Sequence, residues 1–375
     1  MRILFLISDM GRGGAERVAS LLANAWSERG DQVLLLATYS GKGHCVYPLD
    51  ESVRFAYLAD RVKHTKGPLG YLKRLLVLRS VVGEYQPDVV VSFLTNVNVF
   101  ALLATAGQNV PVIISERTYP PMYNMGPVME WLRRWTYPQA TSVVVQTTGS
   151  QGWLDGICPN LRSAVIANPV RLPMANVAPR VRPEQRVNSE RRLLLTVGRL
   201  SCEKQFELLL DSFALLPVEL GCWDLAIVGE GSLRASLTQK IIDLGLQQRV
   251  FLIGGVGNPG DWYRRADLYV MSSAFEGFPN TLLEAMAHGV AAVSFDCQTG
   301  PRDIIRHGID GLLVDPQTGA AGLAASLTEL MENEPKRIEF AVRACDVRQR
   351  YSMTRILLQW DEVFRDCLAA KGRSL

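Results

Sequence analysis

Ala266-Asp-Leu-Tyr-Val-Met271, followed closely by Glu276-Gly-Phe-Pro-Asn-Thr-Leu-Leu-Glu284, reads as a strand, a Gly/Pro turn and the opening of a helix. The first run is short and apolar, and Asn280 is placed to cap the helix that follows. A strand that feeds a helix through so tight a turn is half of a parallel α/β unit. Two carboxylates eight positions apart bracket the turn. A helix N-terminus offers free N–H groups to an anionic diphosphate, and carboxylates accept hydrogen bonds from sugar and ribose hydroxyls. The pattern therefore suits a sugar nucleotide; a helix with one loop glutamate and one surface glutamate is the plain alternative.

The same alternation extends in both directions. Strands are expected near Ile3–Ser8, Val33–Thr38, Val53–Leu58, Asp88–Phe93, Val112–Ser115, Ser142–Gln146 and Ala164–Ala167, with helices at Ala15–Arg29, Leu69–Glu84 and Val128–Thr136 among the intervals. Several strands are continuously apolar, as parallel strands covered on both faces are. Residues 171–192 break the rhythm with prolines and a run of arginines, and read as an extended linker. Alternation restarts with Leu193–Val197, Trp223–Val228, Val250–Ile253, Asp267–Met271, Ala291–Phe295 and Gly311–Val314. The expected layout is an N-terminal domain over 1–170, the linker 171–192, and a C-terminal domain over 193–352. A final amphipathic helix, Met353–Ala370, carries Ile356, Leu357, Trp360, Val363 and Phe364 on one face and can cap either domain. Both domains are α/β with open parallel sheets, and glycine turns fall at the carboxyl ends of strands, where such folds bind ligands.

Composition agrees with this layout. The chain has 375 residues, 48% apolar and 21% charged, enough for two soluble domains with large cores. No apolar run reaches the ~18–20 residues that span a bilayer. Asp9 and Arg12 interrupt the apolar start, which favours a buried first strand over a signal sequence. Seven scattered cysteines without a C-x-x-C pair argue against a zinc site or a disulfide scaffold and fit a reducing cytosol. A net charge of +3 gives no ground for nucleic acid as a partner.

Further candidates lie at other strand ends. Gly11-Arg-Gly-Gly14 opens a helix, and its glycines let backbone N–H groups approach a phosphate, or simply make a tight turn. Gly198-Arg199 leaves a strand tip, and Lys204 follows five residues after Arg199, so two cations can converge on one diphosphate. Gly229-Glu-Gly231 ends the next strand and either shapes the same pocket or serves as a plain turn.

Gly-Gly-Ala-Glu-Arg near the start, Val-Gly-Arg-Leu with Lys204 downstream, Val-Gly-Glu-Gly, and Glu276 to Glu284 occur in that order. Together they resemble the retaining GT-B glycosyltransferases of family 4, over nearly the whole chain. The resemblance implies two Rossmann-like domains facing each other across a cleft, with the C-terminal helix (about 353–375) returning to the N-terminal, acceptor domain. It implies no cofactor, only a nucleotide diphosphate sugar as substrate, a UDP-sugar ahead of a GDP-sugar. Carried onto this chain, Arg199 and Lys204 clamp the donor diphosphate beside Gly198, Gly229 and Gly231. Glu276 holds the donor sugar's hydroxyls, Glu284 accepts from the ribose, and the backbone N–H groups of Phe278, Pro279, Asn280 and Thr281 face sugar and phosphates. Gly14 permits close approach of the acceptor-side loop to the diphosphate.

One departure concerns a histidine that many relatives place at the end of an N-terminal-domain strand. Here the matching region is Ile113-Ile-Ser-Glu116-Arg117, and none of the histidines at 44, 64, 288 and 307 replaces it. That argues against a histidine general base. In a front-face retaining transfer the departing diphosphate oxygen takes the acceptor's proton, and the protein supplies positioning and charge stabilisation. Glu116 and Arg117 are the acceptor-side candidates, either orienting the acceptor or forming a structural ion pair. No Asp-x-Asp triplet occurs, so metal-independent departure is expected and no metal ligand is assigned.

Two basic clusters lie in the expected acceptor domain. Residues 61–79 carry Arg61, Lys63, Lys66, Lys73, Arg74 and Arg79 among Leu69, Leu72, Leu75, Leu76 and Leu78, and residues 131–135 read Trp-Leu-Arg-Arg-Trp. Indoles beside guanidinium groups suit an anionic membrane surface; ordinary surface helices are the alternative. By family analogy this points to a peripheral enzyme on the cytoplasmic face, transferring a hexose or N-acetylhexosamine to a polyprenyl-diphosphate-linked or other glycan acceptor in surface-glycan synthesis. A sugar-nucleotide 2-epimerase of the same architecture and a non-catalytic nucleotide-sugar-binding protein are the competing readings.

Overall fold

The computed structural model describes residues 1–39, 45–62, 67–123 and 125–372. The chain forms two compact units, Met1–Pro169 with Met353–Leu375, and Val170–Ser352.

The first unit is a parallel sheet of β1 (Arg2–Ile7), β2 (Gln32–Ala37), β3 (Arg54–Tyr57), β4 (Val89–Phe93), β5 (Val112–Ser115), β6 (Ser142–Val145) and β7 (Ser163–Val165). Its spatial order is β3-β2-β1-β4-β5-β6-β7, so the winding direction reverses between β1 and β4. Side chains alternate across each strand. Ile3, Phe5 and Ile7 of β1 enter the core on one face, and Leu4 and Leu6 enter the core on the other. Both faces are covered by helices, which explains why these strands read as unbroken apolar runs.

The last helix, Met353–Ala369, belongs to this first unit and fills the Phe5 face. Its Ile356, Trp360 and Phe364 are buried there, and the Trp360 ring meets Trp26 edge-on at 5.6 Å. The 3.6-residue repeat read from the sequence is therefore the buried stripe.

The second unit repeats the plan with β8 (Arg192–Val197), β9 (Trp223–Val228), β10 (Val250–Gly254), β11 (Leu268–Met271), β12 (Ala292–Phe295) and β13 (Gly311–Val314). Their order is β10-β9-β8-β11-β12-β13, all parallel, and the reversal falls between β8 and β11. One core cluster takes Leu194, Leu225, Ile227, Val270 and Val293 from its strands.

Two expectations need correction. Residues 171–192 are not a free linker: the second unit begins at Val170, and this tract is sewn onto it. Val177 N donates to Gly257 O at 2.9 Å, Gly257 N donates to Pro179 O at 2.6 Å, and Trp262 Nε1 donates to Val181 O at 2.9 Å. Proline content said nothing about which groups satisfy the tract's backbone, and the tract includes a short 3-10 turn at Pro183–Gln185. The second correction is that Asn280 does not cap its helix. It is the first helical residue, and Pro279 holds the cap position without a side-chain bond.

Trp360→Ala is expected to cost about 3–5 kcal/mol, because a large buried ring leaves a cavity. Leu358→Ala, on the exposed side of the same helix, should stay within roughly 0.5 kcal/mol of wild type. Chemical-denaturation midpoints of the two variants provide the comparison.

Candidate functional site

The reversal between β8 and β11 brings together loops that are far apart in sequence. β8 runs out through Gly198 and Arg199 into a short turn, Cys202–Lys204, and β11 runs out through Ser272 and Ser273 to Glu276. Ser272 Oγ donates to Lys204 O at 2.7 Å, and Ala274 N donates to Glu203 O at 2.8 Å. With the loops joined, Lys204 Nζ lies 2.6 Å from Glu276 Oε1, and the two side chains are only 21% and 12% exposed. Ser273 Oγ also donates to Glu276 Oε1, at 2.6 Å. Among the described residues Oε2 of Glu276 has no partner, so one oxygen remains to accept from a ligand. Arg199 is exposed and its guanidinium makes no hydrogen bond or ion pair among the described residues.

Neighbouring strand ends lock this arrangement. Thr299 Oγ1, beyond β12, donates to the backbone carbonyl of Glu276. Gly300 (φ +99°) fits against the turn because a Cβ there would fall 2.6 Å from Pro279 Cδ. Gly229, at the end of β9 with φ +149°, crosses so near β8 that a Cβ would lie 1.8 Å from Gly198 O. Gly231 does the same to Leu200 O, at 2.2 Å. The Gly229 and Gly231 positions are thus fixed by backbone crossing, a reason the sequence reading did not give. Gly198 is less constrained: a Cβ there would meet Lys204 Cδ at an ordinary 3.6 Å.

Helix Asn280–Ala287 starts from the same turn. Phe278 and Pro279 are buried, Phe278 against the Tyr351 ring at 5.5 Å, while Asn280 and Thr281 are half-buried. Thr281 Oγ1 accepts from Tyr269 OH at 2.9 Å, and burial pushes that phenol well above its usual range, so it stays a donor. Pro279 has no N–H, so the expectation that it presents one to a ligand is withdrawn. Glu284 lies deeper than expected, 5% exposed, and its Oε2 accepts from Tyr263 OH at 3.0 Å.

The first unit holds the remaining candidates. Gly14 is exposed at the first position of helix Gly14–Glu28. At its neighbour Gly13 a Cβ would meet only the carboxylate end of the Glu16 side chain, which can move aside, and the Gly13 carbonyl accepts from Tyr47 OH. Glu116 and Arg117 leave β5 but do not form the ion pair weighed from the sequence. Glu116 is buried and accepts from Thr95 Oγ1 at 2.9 Å and from Tyr137 OH. Burial raises its pKa, and the Tyr137 and Thr95 bonds oppose that rise. Arg117 turns the other way, onto the Phe93 ring, and donates from Nη1 to Asn168 Oδ1 at 2.9 Å. Desolvation alone brings its pKa down to about 9. His44 and His64 lie outside the described residues.

The basic clusters separate by role. Helix Pro68–Tyr85 and helix Pro127–Thr136 both pack against helix Thr95–Thr105. Leu69, Tyr71, Leu72 and Leu76 are exposed on the first, whereas Leu78 is buried. Trp131 and Trp135 are 63% and 54% exposed on the second and stack on each other at 6.1 Å. Arg133 is a correction: it turns inward, over the Trp153 ring and onto Glu130, so only Arg134 of that pair faces solvent. Arg61 pairs with Glu84, and Arg79 donates to the carbonyls of Ala104 and Ala106. Lys63 and Lys66 lie outside the described residues. No helix among the described residues is long and apolar enough to cross a membrane.

Sequence reading missed Ser272, Ser273, Thr299, Tyr263 and Asn168. The Ser-Ser pair directly after an apolar strand was a usable signal; the others are joined to the site only by folding.

Comparison with known proteins gives family matches over both units. Residues 13–169 match the "Glycosyl transferase 4-like domain" and residues 178–345 match "Glycosyl transferases group 1". The chain is 27% identical over 368 residues to the amylovoran biosynthesis glycosyltransferase AmsD of Erwinia amylovora, covering 96% of this chain and 99% of that one. It is 27% identical over 365 residues to a Campylobacter jejuni enzyme, GalNAc-alpha-(1->4)-GalNAc-alpha-(1->3)-diNAcBac-PP-undecaprenol alpha-1,4-N-acetyl-D-galactosaminyltransferase, covering 96% and 97%. Among solved structures, Anabaena Alr3699/HepE in complex with UDP and glucose superposes with a TM-score of 0.80 at 20% identity, over 97% of this chain and 99% of that one.

Gly229→Ala is expected to destabilise the second unit by at least ~2 kcal/mol, since a backbone crossing has no room for Cβ. Gly221→Ala meets nothing within 4 Å and serves as the control. Thermal unfolding followed by circular dichroism reads both.

Proposed function

The chain belongs to the glycosyltransferases of the group 1 and family 4-like type, and from that premise we propose a retaining, metal-independent transfer from a nucleotide diphosphate sugar. The donor is a UDP-hexose or UDP-N-acetylhexosamine, held by the second unit. The observation that carries the reading is the meeting of Lys204 and Glu276 beside an unpaired Arg199 at the sheet's reversal point. UDP in the solved HepE complex supports the choice of nucleotide.

Each residue's work follows from its surroundings. Lys204 and Arg199 meet the diphosphate and stabilise the charge that grows on it as the glycosyl bond breaks. Glu276, steadied by Ser273 and Lys204, accepts sugar hydroxyls at Oε2. Glu284, steadied by Tyr263, accepts from the ribose. The leaving diphosphate oxygen takes the proton of the acceptor hydroxyl on the same face of the sugar, which retains the anomeric configuration without a side-chain base. Arg199→Ala and Lys204→Ala are each expected to lower turnover by ~10²-fold, with wild-type turnover unchanged in excess chelator. A transfer assay with UDP-sugars checks both; near-normal turnover in both folded variants refutes the clamp.

The acceptor reading extends to this chain the kind of acceptor named for the Campylobacter relative, a polyprenyl-diphosphate-linked saccharide, and sets it at the inner face of the plasma membrane. Exposed Leu69, Leu72, Leu76, Trp131 and Trp135 support it, with Arg134 supplying exposed charge. Flotation with anionic liposomes is expected to carry the wild-type chain at low salt, and less of it at high salt. Trp131→Ala/Trp135→Ala should float markedly less. Absence of wild-type flotation at either salt level makes the acceptor a soluble glycan.

A further inference from the structure

Arg117 carries two of the buried polar atoms that the first unit leaves without a partner among the described residues. It is 8% exposed, its guanidinium lies 3.5 Å from the Phe93 ring centroid, and Nη1 is committed to Asn168. Nε and Nη2 are buried and have no partner among the described residues. These two N–H groups share one edge of the planar guanidinium and point in parallel, the side-on fork that matches two oxygens of a phosphate or carboxylate. Gln146 is the second observation. Its Nε2 donates to the same Asn168 oxygen at 2.6 Å, and its Oε1 is buried without a partner among the described residues.

Two open donors and one open acceptor therefore gather around a single asparagine, at the carboxyl ends of β5 and β6, where open parallel sheets bind ligands. Glu116 does not compete for the fork, being held by Thr95 and Tyr137. Leu94, a non-glycine residue at φ +80°, follows Phe93 directly and marks the same strand ends as a place of backbone strain. Burial of the charge is consistent with the depressed pKa.

We propose that Arg117 seats a two-oxygen anion of the acceptor, gripped side-on by Nε–H and Nη2–H, while Gln146 Oε1 accepts from a hydroxyl of the same molecule. The ligand class is a saccharide bearing a phosphate or a carboxylate. The fork is closed to solvent, so the anion reaches it as Arg117 turns on its side-chain torsions and gives up part of its stacking on Phe93. This proposal rests on the glycosyl-transfer reading, which supplies the acceptor.

A structural arginine and a ligand-seating one differ in what their removal does. A buried charge with an open fork is a liability to the folded chain, so an apolar residue of similar length relieves it. The full chain is saturated with UDP, so that the phosphate seat of the second unit is filled, and titrated calorimetrically with inorganic pyrophosphate and, separately, with glucuronate. Wild type is expected to bind one of them, pyrophosphate identifying a phosphate-bearing acceptor and glucuronate a carboxylate-bearing one. Arg117→Met should bind it at least about tenfold more weakly with a Tm at or above wild type, and Arg117→Lys should fall between, keeping the charge without the fork. Equal affinity in wild type and Arg117→Met, or no binding of either anion by UDP-loaded wild type, overturns the proposal. A Tm of Arg117→Met well below wild type makes the residue structural and also overturns it. Failure of UDP itself to bind overturns the underlying donor reading instead.

Discussion

Strands β8 and β11 lie side by side and point the same way, although the chain makes β9 and β10 before it returns to form β11. Parallel pairing forces both strands to end at the same edge of the sheet. The loops that leave them must then cross within hydrogen-bond reach, which places Lys204 against Glu276 across 72 residues of sequence. A carboxylate largely out of water is costly unless a cation and donors accompany it, and here Lys204 and Ser273 do so. The same cation is the kind of group that the proposed donor diphosphate calls for.

Backbone crossings fix that edge more firmly than side chains do. Gly229 and Gly231 bring the end of β9 against Gly198 and Leu200, and Gly300 brings the loop after β12 against Pro279. Each contact is impossible with a Cβ in place. The glycines therefore let these loops pack as closely as they do at the edge where Lys204 meets Glu276.

The two-sheet fold was legible because its strands are buried on both faces. Continuous apolar runs such as Ile3–Ile7 and Leu193–Leu195 have no amphipathic alternative, and the stripe of Ile356, Trp360 and Phe364 announced a helix with one buried side. The second unit's site was partly legible, since glutamates, arginine and lysine stand at strand ends. What failed depended on partners distant in sequence. Nothing local distinguishes a proline-rich linker from a proline-rich tract pinned by Gly257 and Trp262. Likewise Glu116 and Arg117 are adjacent in sequence, yet successive side chains leaving a strand point to opposite sides, so their adjacency argued against a pair rather than for one. On helix Pro127–Thr136 the roughly 100° turn between successive residues does the same, sending Arg133 inward and Arg134 outward.

That divergence gives the two residues opposite characters. Glu116 falls into a closed network in which the Thr95 and Tyr137 hydroxyls supply what water would have given it, and the Asn98 amide donates in turn to Tyr137 OH. Such a network rigidifies the strand ends and asks for nothing further. Arg117 falls beside an aromatic face, which supports a cation but offers no acceptor in the plane where its N–H groups point. A sequence selected for stability alone would place an apolar side chain over Phe93. Retaining a guanidinium there costs the folded state something that packing does not return, and an oxygen pair arriving from outside is the partner its geometry fits.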